Sequence, residues 1–408
     1  MQWIREHPLI VFILLHTVIF LGIFANLDQL VGDNALERYV ALQMLDGQVP
    51  YRDFLSEYPP LALLSFLIPA LLFPGPTAYG FAFAAQMLLL DLVVLFILAS
   101  LASRLKMRLW HVLGIYTLFL LAVGLLVTGR YDLLPAMLVL AALYAFISGR
   151  NKSAWALLAL GTMAKVYPII IAPIFVLYLL RQRRYGQLIS GGATFLGVGL
   201  VLVLPWVLLS PDGFWQFLSY HVERGLHSES SYGSLLLMGQ VLGLTQLKAQ
   251  LTFGSWNLIS PVADSLGKVS VYISAGLLLG IYGLYARLIW RRPGPVAGTA
   301  VPDAGATASL LRYSLLAVLI MLLSSKLFSA QFLIWLCPLL PLVNGQWRYA
   351  PWLLFLAAAV LTQYIYPFHY IEFELGSPYL VIMMAGRNLL LAVMAILLVI
   401  PSRPGSPS

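Results

Sequence analysis

The side chains able to do chemistry are few in this sequence and fall in short clusters. Asp33 precedes the segment DGQVPYRDFLSEYPPL, in which Asp53, Glu57 and Tyr58 lead into Pro59-Pro60. Further along come Gly129-Arg130-Tyr131-Asp132 and Lys165-Val166-Tyr167-Pro168. Then follow His221, Glu223, Arg224 and Glu229 within YHVERGLHSES, Lys326 and Gln331 within SSKLFSAQF, and His369, Tyr370, Glu372 and Glu374 within HYIEFE. A carboxylate can take a proton from an attacking hydroxyl. Cations can bind a phosphate and stabilise it as it leaves. Acids and cations gathered near a membrane suit a substrate with a lipid tail, a phosphate at the interface and a sugar beyond it.

Each residue also has an ordinary reading. The acids Asp28, Asp33, Glu37, Asp46, Asp53 and Glu57 can simply keep a loop solvated, and this fits Glu37 and Asp46 best. Arg130 and Asp132 can form an interfacial ion pair, while Lys165 and Lys326 can reach the interface as anchors. Tyr and Trp collect at membrane interfaces in any case. Asp91 stands alone in QMLLLDLVVLF, in mid-span, and should face other helices, as a hydrogen-bond partner or a functional acid, the structural role being favoured.

The elements that carry these clusters are apolar and long. Of the 408 residues, 61% are hydrophobic and 10% charged. A soluble domain has about 25% charged residues, so this chain lacks the polar surface to stay dispersed in water. A span needs about 20 apolar residues. Candidate spans are 9–27, 79–102, 110–128, 132–148, 153–166, 168–181, 188–209, 269–290, 313–326, 331–346, 350–366 and 379–400. The fold expected is an all-α polytopic membrane protein with about twelve spans, within ten to thirteen. The segments 59–74 and 233–247 are broken by Pro or Gly and read as short helices at the outer interface. The first apolar run, from about Leu9 to Leu27, is too long for a signal-peptide core and reads as a retained span.

Lys and Arg mark the cytoplasmic side. With both termini inside, the inner loops hold 15 of the 24 basic residues, in the clusters SRLKMR, GRNK, RQRR and RLIWRR. The net charge of +8 thus reflects topology, and no nucleic-acid partner is implied. The chain divides into one transmembrane domain over 1–408, with a first outer loop (28–78), a second large outer loop (211–267), a flexible cytoplasmic linker (293–311) and a disordered tail (402–408). The single Cys337 rules out an internal disulfide and a thiolate zinc site.

Five of the polar segments fall in a familiar order. Asp33 with DGQVPYRDFLSEYPPL, then GRYDLLPAMLVLAAL, KVYPIIIAPI, YHVERGLHSES and KLFSAQFLIWLCPLLPL resemble the polyprenol-phosphate-sugar-dependent glycosyltransferases of the C superfamily, most closely glycosyltransferase family 87. The resemblance implies a multi-pass enzyme of a prokaryotic inner membrane, its site facing outward. It implies transfer of a hexose, often mannose, from a polyprenyl-phosphate carrier to a lipid or glycan hydroxyl by a single inverting displacement. Asp33 matches the general base. Asp53, Glu57, Tyr58, Arg130, Asp132, Lys165, His221, Glu223, Arg224, Glu229, Lys326 and Gln331 are the expected substrate-binding residues, with Arg130, Lys165, Arg224 and Lys326 on the carrier phosphate. No HExxH or clustered His/Cys pattern appears, so no metal and no separate cofactor is expected. The competing functions are a polymerase or ligase using diphosphate-linked donors, and a transporter. No internal repeat supports the latter.

Overall fold

The computed structural model describes residues 6–24, 34–291, 302–343 and 349–400. Asp33, the basic residues Arg5, Arg292, Arg348 and Arg403, the linker over 293–301 and the tail 402–408 lie outside the described residues. In chain order the helices are α1 (Pro8–Phe24), α2 (Ala35–Leu45), α3 (Pro60–Leu72), α4 (Pro76–Arg104), α5 (Leu109–Val123), α6 (Leu133–Ile147), α7 (Asn151–Ala164), α8 (Ala172–Arg181), α9 (Tyr185–Leu209) and α10 (Pro211–Glu223). They continue as α11 (Ser231–Val241), α12 (Pro261–Arg291), α13 (Ala304–Ser324), α14 (Tyr349–Gln363), α15 (Tyr370–Glu374) and α16 (Pro378–Val399).

Among the described residues, six helices are long and apolar enough to cross a membrane: α4, α9, α12, α13, α14 continued to Phe368, and α16. The protein is thus an integral membrane protein with a helical body. Shorter apolar helices over Pro8–Gly22, Leu109–Val123, Leu133–Ile147, Tyr167–Arg181 and Ala330–Leu342 pack among them. The segments 59–74 and 233–247 contain α3 and α11, each too short to span alone.

Local signals set the helix starts. Proline opens α3, α4, α10, α12 and α16, where its missing N–H has no intrahelical partner to lose. Ser210 caps α10 by accepting from Gly213 N, and Ser230 caps α11 by accepting from Gly233 N. Asp303 caps α13 through Ala306 N, at 2.7 Å. That cap corrects the expected linker. From Ala304 onward the chain is helical, and Thr307, Leu310 and Leu311 are buried, so small residues read as flexible instead allow close helix packing.

Asp91 lies in the core between three helices. Its Oδ1 accepts from Tyr116 of α5 at 2.6 Å, and Oδ2 pairs with His16 Nδ1 of α1 at 2.6 Å. His16 Nε2 meets Thr117 Oγ1 at 2.8 Å. All of these groups are buried, and α1, α4 and α5 are clamped where a lone carboxylate would be costly.

Beyond the helices, the segment 211–267 adds a three-stranded antiparallel sheet ordered β1 (Leu226–His227), β3 (Ser255–Ile259), β2 (Lys248–Thr252). The hairpin between β2 and β3 turns at Phe253-Gly254, both at positive φ (51° and 66°), the conformation that two-residue hairpins require. Leu226 pairs with Leu258 and His227 with Asn257, which brings β1 and the loop after it under the hairpin.

Candidate active site

The turns at one end of the helix body enclose a cavity of about 730 Å³. The basic clusters at 104–108, 150–152 and 181–184 lie at the opposite helix ends, as α7 illustrates: Lys152 stands in its first turn and Lys165 just past its last. The volume is that of a pocket for one sizeable small-molecule ligand. Four carboxyl groups line it, Glu37, Glu57, Asp132 and Glu229, together with Arg130, Lys165, Arg224, His221 and His227. Apolar walls come from Leu36, Val166, Met321, Leu327 and Phe332.

Lys165 is a caged cation. Its Nζ donates to Asp132 Oδ1 at 2.6 Å and sits over the rings of Tyr131 (4.6 Å), Phe332 (4.9 Å) and Trp335 (5.4 Å). Trp335 Nε1 donates to the same Asp132 oxygen at 2.7 Å, and its ring stacks on Tyr167 at 3.9 Å between centroids. Asp132 is 1% exposed. The turn after Gly129 and the end of α7 are therefore locked together by one ion pair inside an aromatic box.

A second group of contacts joins the loop before α3 to α10 and the hairpin. Arg224 approaches Glu57 Oε2 with NH1 at 3.4 Å and donates from Nε to Ser255 Oγ at 3.1 Å. His221 Nε2 donates to the Glu57 carbonyl at 3.0 Å, and burial lowers its pKa, which keeps the ring neutral. The start of α10 fits tightly on the first loop. A Cβ at Gly213 would lie 1.5 Å from the Tyr51 carbonyl oxygen, so only glycine permits this approach.

The third group surrounds Glu229. Tyr370 donates to its Oε1 at 3.2 Å, Arg387 NH1 lies 3.5 Å from Oε2, and Arg387 NH2 donates to its carbonyl at 2.6 Å. Burial raises the Glu229 carboxyl to about 7 despite Arg387. Ser228 Oγ donates to Glu374 at 2.7 Å, and burial raises that carboxyl to about 8. Arg130 donates to Tyr366 at 2.9 Å, which ties the cavity floor to the segment before α15.

The expected site residues therefore divide. Glu57, Tyr58, Arg130, Asp132, Lys165, His221, Arg224, Glu229 and Gln331 come together around the cavity. Asp53 does not line it. Its carboxylate accepts from Val49 N at 2.7 Å and from the adjacent Arg52 at 2.8 and 2.9 Å, contacts that hold it down to about 2 and make it a turn-forming residue. Glu223 ends α10 on the exposed side. Lys326 also lies off the cavity wall: its Nζ donates to the carbonyls of Val222 (2.7 Å) and Arg224 (2.5 Å) and so closes the C-terminal end of α10. Among the described residues, no three His, Cys, Asp or Glu side chains come together in a group that could hold a metal ion.

A family model described as glycosyltransferase family 87 matches residues 54–325. The chain belongs to glycosyltransferase family 87. It is a membrane glycosyltransferase, with a sugar donor and an acceptor as substrates, and the transport reading falls away. No curated protein matches the chain. The matched region contributes Glu57, Arg130, Asp132, Lys165, Arg224 and Glu229 to the cavity, whereas Glu37, Gln331, Trp335, Tyr366 and Tyr370 come from outside it.

Several cavity groups escaped the sequence reading. Glu37, read as a solvated loop acid, is 1% exposed, and it shares the buried side of α2 with Val40 and Ala41. An acid at i beside apolar residues at i+3 and i+4 was the available signal. Arg387 is fully buried within α16, and a cation inside an apolar span is itself a marker of function or pairing. Tyr370 and His227 fell within the polar clusters HYIEFE and YHVERGLHSES without being assigned to the site, and Trp256, Trp335 and Tyr366 left no comparable trace.

Proposed function

We propose that this family 87 enzyme takes a hexose, mannose in the first instance, from a polyprenyl monophosphate and transfers it to a hydroxyl of a lipid or glycan acceptor. The reaction is an inverting single displacement on the outer face of a prokaryotic inner membrane, in a body of about twelve spans. The observation that carries this reading is the cavity itself: carboxylates and guanidinium groups gathered against apolar walls, at the helix ends opposite the basic clusters.

The steps follow from the residue types. The acceptor oxygen attacks the anomeric carbon as its proton passes to a carboxylate, which we assign to Asp33. The bond from that carbon to the phosphate oxygen breaks, and the electron pair leaves with the phosphate. Arg130 and Arg224 meet the growing negative charge, in place of a divalent ion. Lys165, already paired with Asp132, holds the wall that orients them. Glu57 and Tyr58 shape the side facing the hairpin. The polyprenyl chain lies along the apolar wall formed by Val166, Leu327 and Phe332.

The test is a pair of substitutions assayed in nanodiscs with a polyprenyl-phosphate hexose. Arg130→Gln and Arg224→Gln should each lower kcat by about 100- to 1,000-fold, the cost of losing one donor to a developing oxyanion. Both variants turning over within threefold of the wild type, on the same donor, would remove the phosphate assignment.

A further inference from the structure

Glu37 has no role in the mechanism above, yet it is one of the most completely buried acids of the cavity wall, and unlike Asp132 and Glu229 it has no ion pair among the described residues. Its side chain lines the cavity, is 1% exposed, and presents an Oε2 with no hydrogen bond among the described residues. A carboxyl in that state is costly unless a ligand completes it. Its position is fixed. Helix α2 packs along α3, and Arg38 on the same turn donates to the Pro74 carbonyl at 2.8 Å, which anchors the helix to the start of α4. Of the charged groups nearby, Arg130 acts on Glu37 most strongly, ahead of Asp132 and Lys165.

That neighbourhood selects the role. In a single displacement the attacking hydroxyl and its base lie on the face of the anomeric carbon opposite the leaving group. A carboxyl that lines the same cavity as the cation that receives the phosphate, and lies within its field, is on the wrong face to act as that base. It is instead within reach of the part of the sugar next to the phosphate. The only hydroxyl-bearing carbon bonded to the anomeric carbon is C2. We propose that Glu37 hydrogen-bonds the 2-hydroxyl of the donor sugar and thereby sets which hexose is transferred. The inference rests on the donor class proposed above. Burial raises the Glu37 carboxyl to about 7, so near neutral pH it can both donate to and accept from a hydroxyl. A hydrogen bond to the 2-hydroxyl is also one that tightens as the anomeric carbon gains positive charge.

The experiment compares donors within each enzyme. Wild type, Glu37→Gln and Glu37→Ala in nanodiscs are given the polyprenyl-phosphate hexose, its 2-deoxy form and its 6-deoxy form. The reading is the ratio of kcat/KM between donors. That ratio does not depend on the fraction of correctly folded enzyme, and the intrinsic reactivity of each donor cancels between variants. The preference for the parent over the 2-deoxy donor should fall on the order of 10- to 100-fold from wild type to Glu37→Ala, the worth of one hydrogen bond to a buried carboxyl. Glu37→Gln should fall in between, and the 6-deoxy ratio should not move. Equal loss on all three donors, or a change in the 6-deoxy ratio alone, would overturn the assignment while leaving the donor class intact. Absence of turnover by the wild type on every polyprenyl-phosphate donor would overturn the donor class and this inference with it.

Discussion

Removing the Asp132 carboxylate should expose how much of the cavity wall depends on one ion pair. In Asp132→Ala the Lys165 ammonium, 18% exposed and surrounded by three rings, loses its charged hydrogen-bond partner at 2.6 Å. Trp335 Nε1 loses its acceptor as well. Breaking a buried pair on one side costs about 3–5 kcal/mol, because the remaining charge stays buried without compensation. At about 1.4 kcal/mol per factor of ten, this lowers the folded-to-unfolded ratio by roughly two to three and a half powers of ten. Lys165→Met should cost less, because Met retains the packing against Tyr131 and Phe332 and Trp335 Nε1 still donates to Asp132. The double variant Asp132→Ala/Lys165→Met removes both charges. It should therefore be more stable than the sum of the single effects implies, by at least about 2 kcal/mol. Denaturant titration in detergent micelles, followed by far-ultraviolet circular dichroism of the helical body, measures all four corners of the cycle. Single effects that add to within about 0.5 kcal/mol would show that the two groups do not depend on each other, and the reasoning would fail.

Other outcomes follow from the same geometry. Glu37 and Glu229, each raised to about 7 by burial, hold a proton in the folded chain at pH values where the unfolded carboxyl, near 4.5, has lost it. Their contribution to stability is therefore full below about pH 4.5 and is lost as pH rises through about 7. Thermal unfolding at several pH values should show that decline, and Glu37→Gln should flatten it; an unchanged slope in the variant counts against the burial argument. Gly213→Ala should force α10 off the first loop, with a stability loss of about 1–3 kcal/mol or more and a fall in kcat/KM. Gly197→Ala, where an added methyl meets nothing within 4 Å, should be neutral or slightly stabilising in the same assay. Lys326→Met should raise the donor KM by loosening the carbonyls of Val222 and Arg224, with a smaller effect on kcat; an unchanged KM would return Lys326 to a purely structural role.

Much of the helical body could be read from the chain because apolar run length is a direct physical requirement of the bilayer. The runs containing α4, α9, α12, α13 and α16 are visible without any structure, as is the charge asymmetry that separates the two ends. The small sheet was less visible. Two residues at 226–227 pair with 257–258 across about thirty positions, and no local pattern encodes that register. The candidate site was legible to the extent that charge is rare in this chain: Glu57, Arg130, Asp132, Lys165, Arg224 and Glu229 stood out for that reason. Direction was not legible. Lys326 and Glu223 sit at the right turns yet do not line the cavity, because the chain path through the turn decides which side chains reach it. Aromatic residues make up 13% of the sequence, so Trp335 and Tyr366 could not be told apart from ordinary interfacial rings. Arg387 was readable and was missed, since a guanidinium within α16 needs a partner, and Glu229 provides it.

The central claim is that a sugar leaves a polyprenyl phosphate in this cavity with a carboxylate as base. Release of polyprenyl phosphate measures it most directly. Purified protein in nanodiscs is given a panel of polyprenyl-phosphate sugars with a lipid and glycan extract as acceptor, beside Asp33→Asn, which keeps the shape of the side chain and removes its basicity. The account expects sugar-dependent release by the wild type, with one donor preferred, and a loss of at least about 100-fold in the variant. Release that is equal in both proteins would contradict the assignment of the base, and no release from any monophosphate donor by folded protein would contradict the account as a whole.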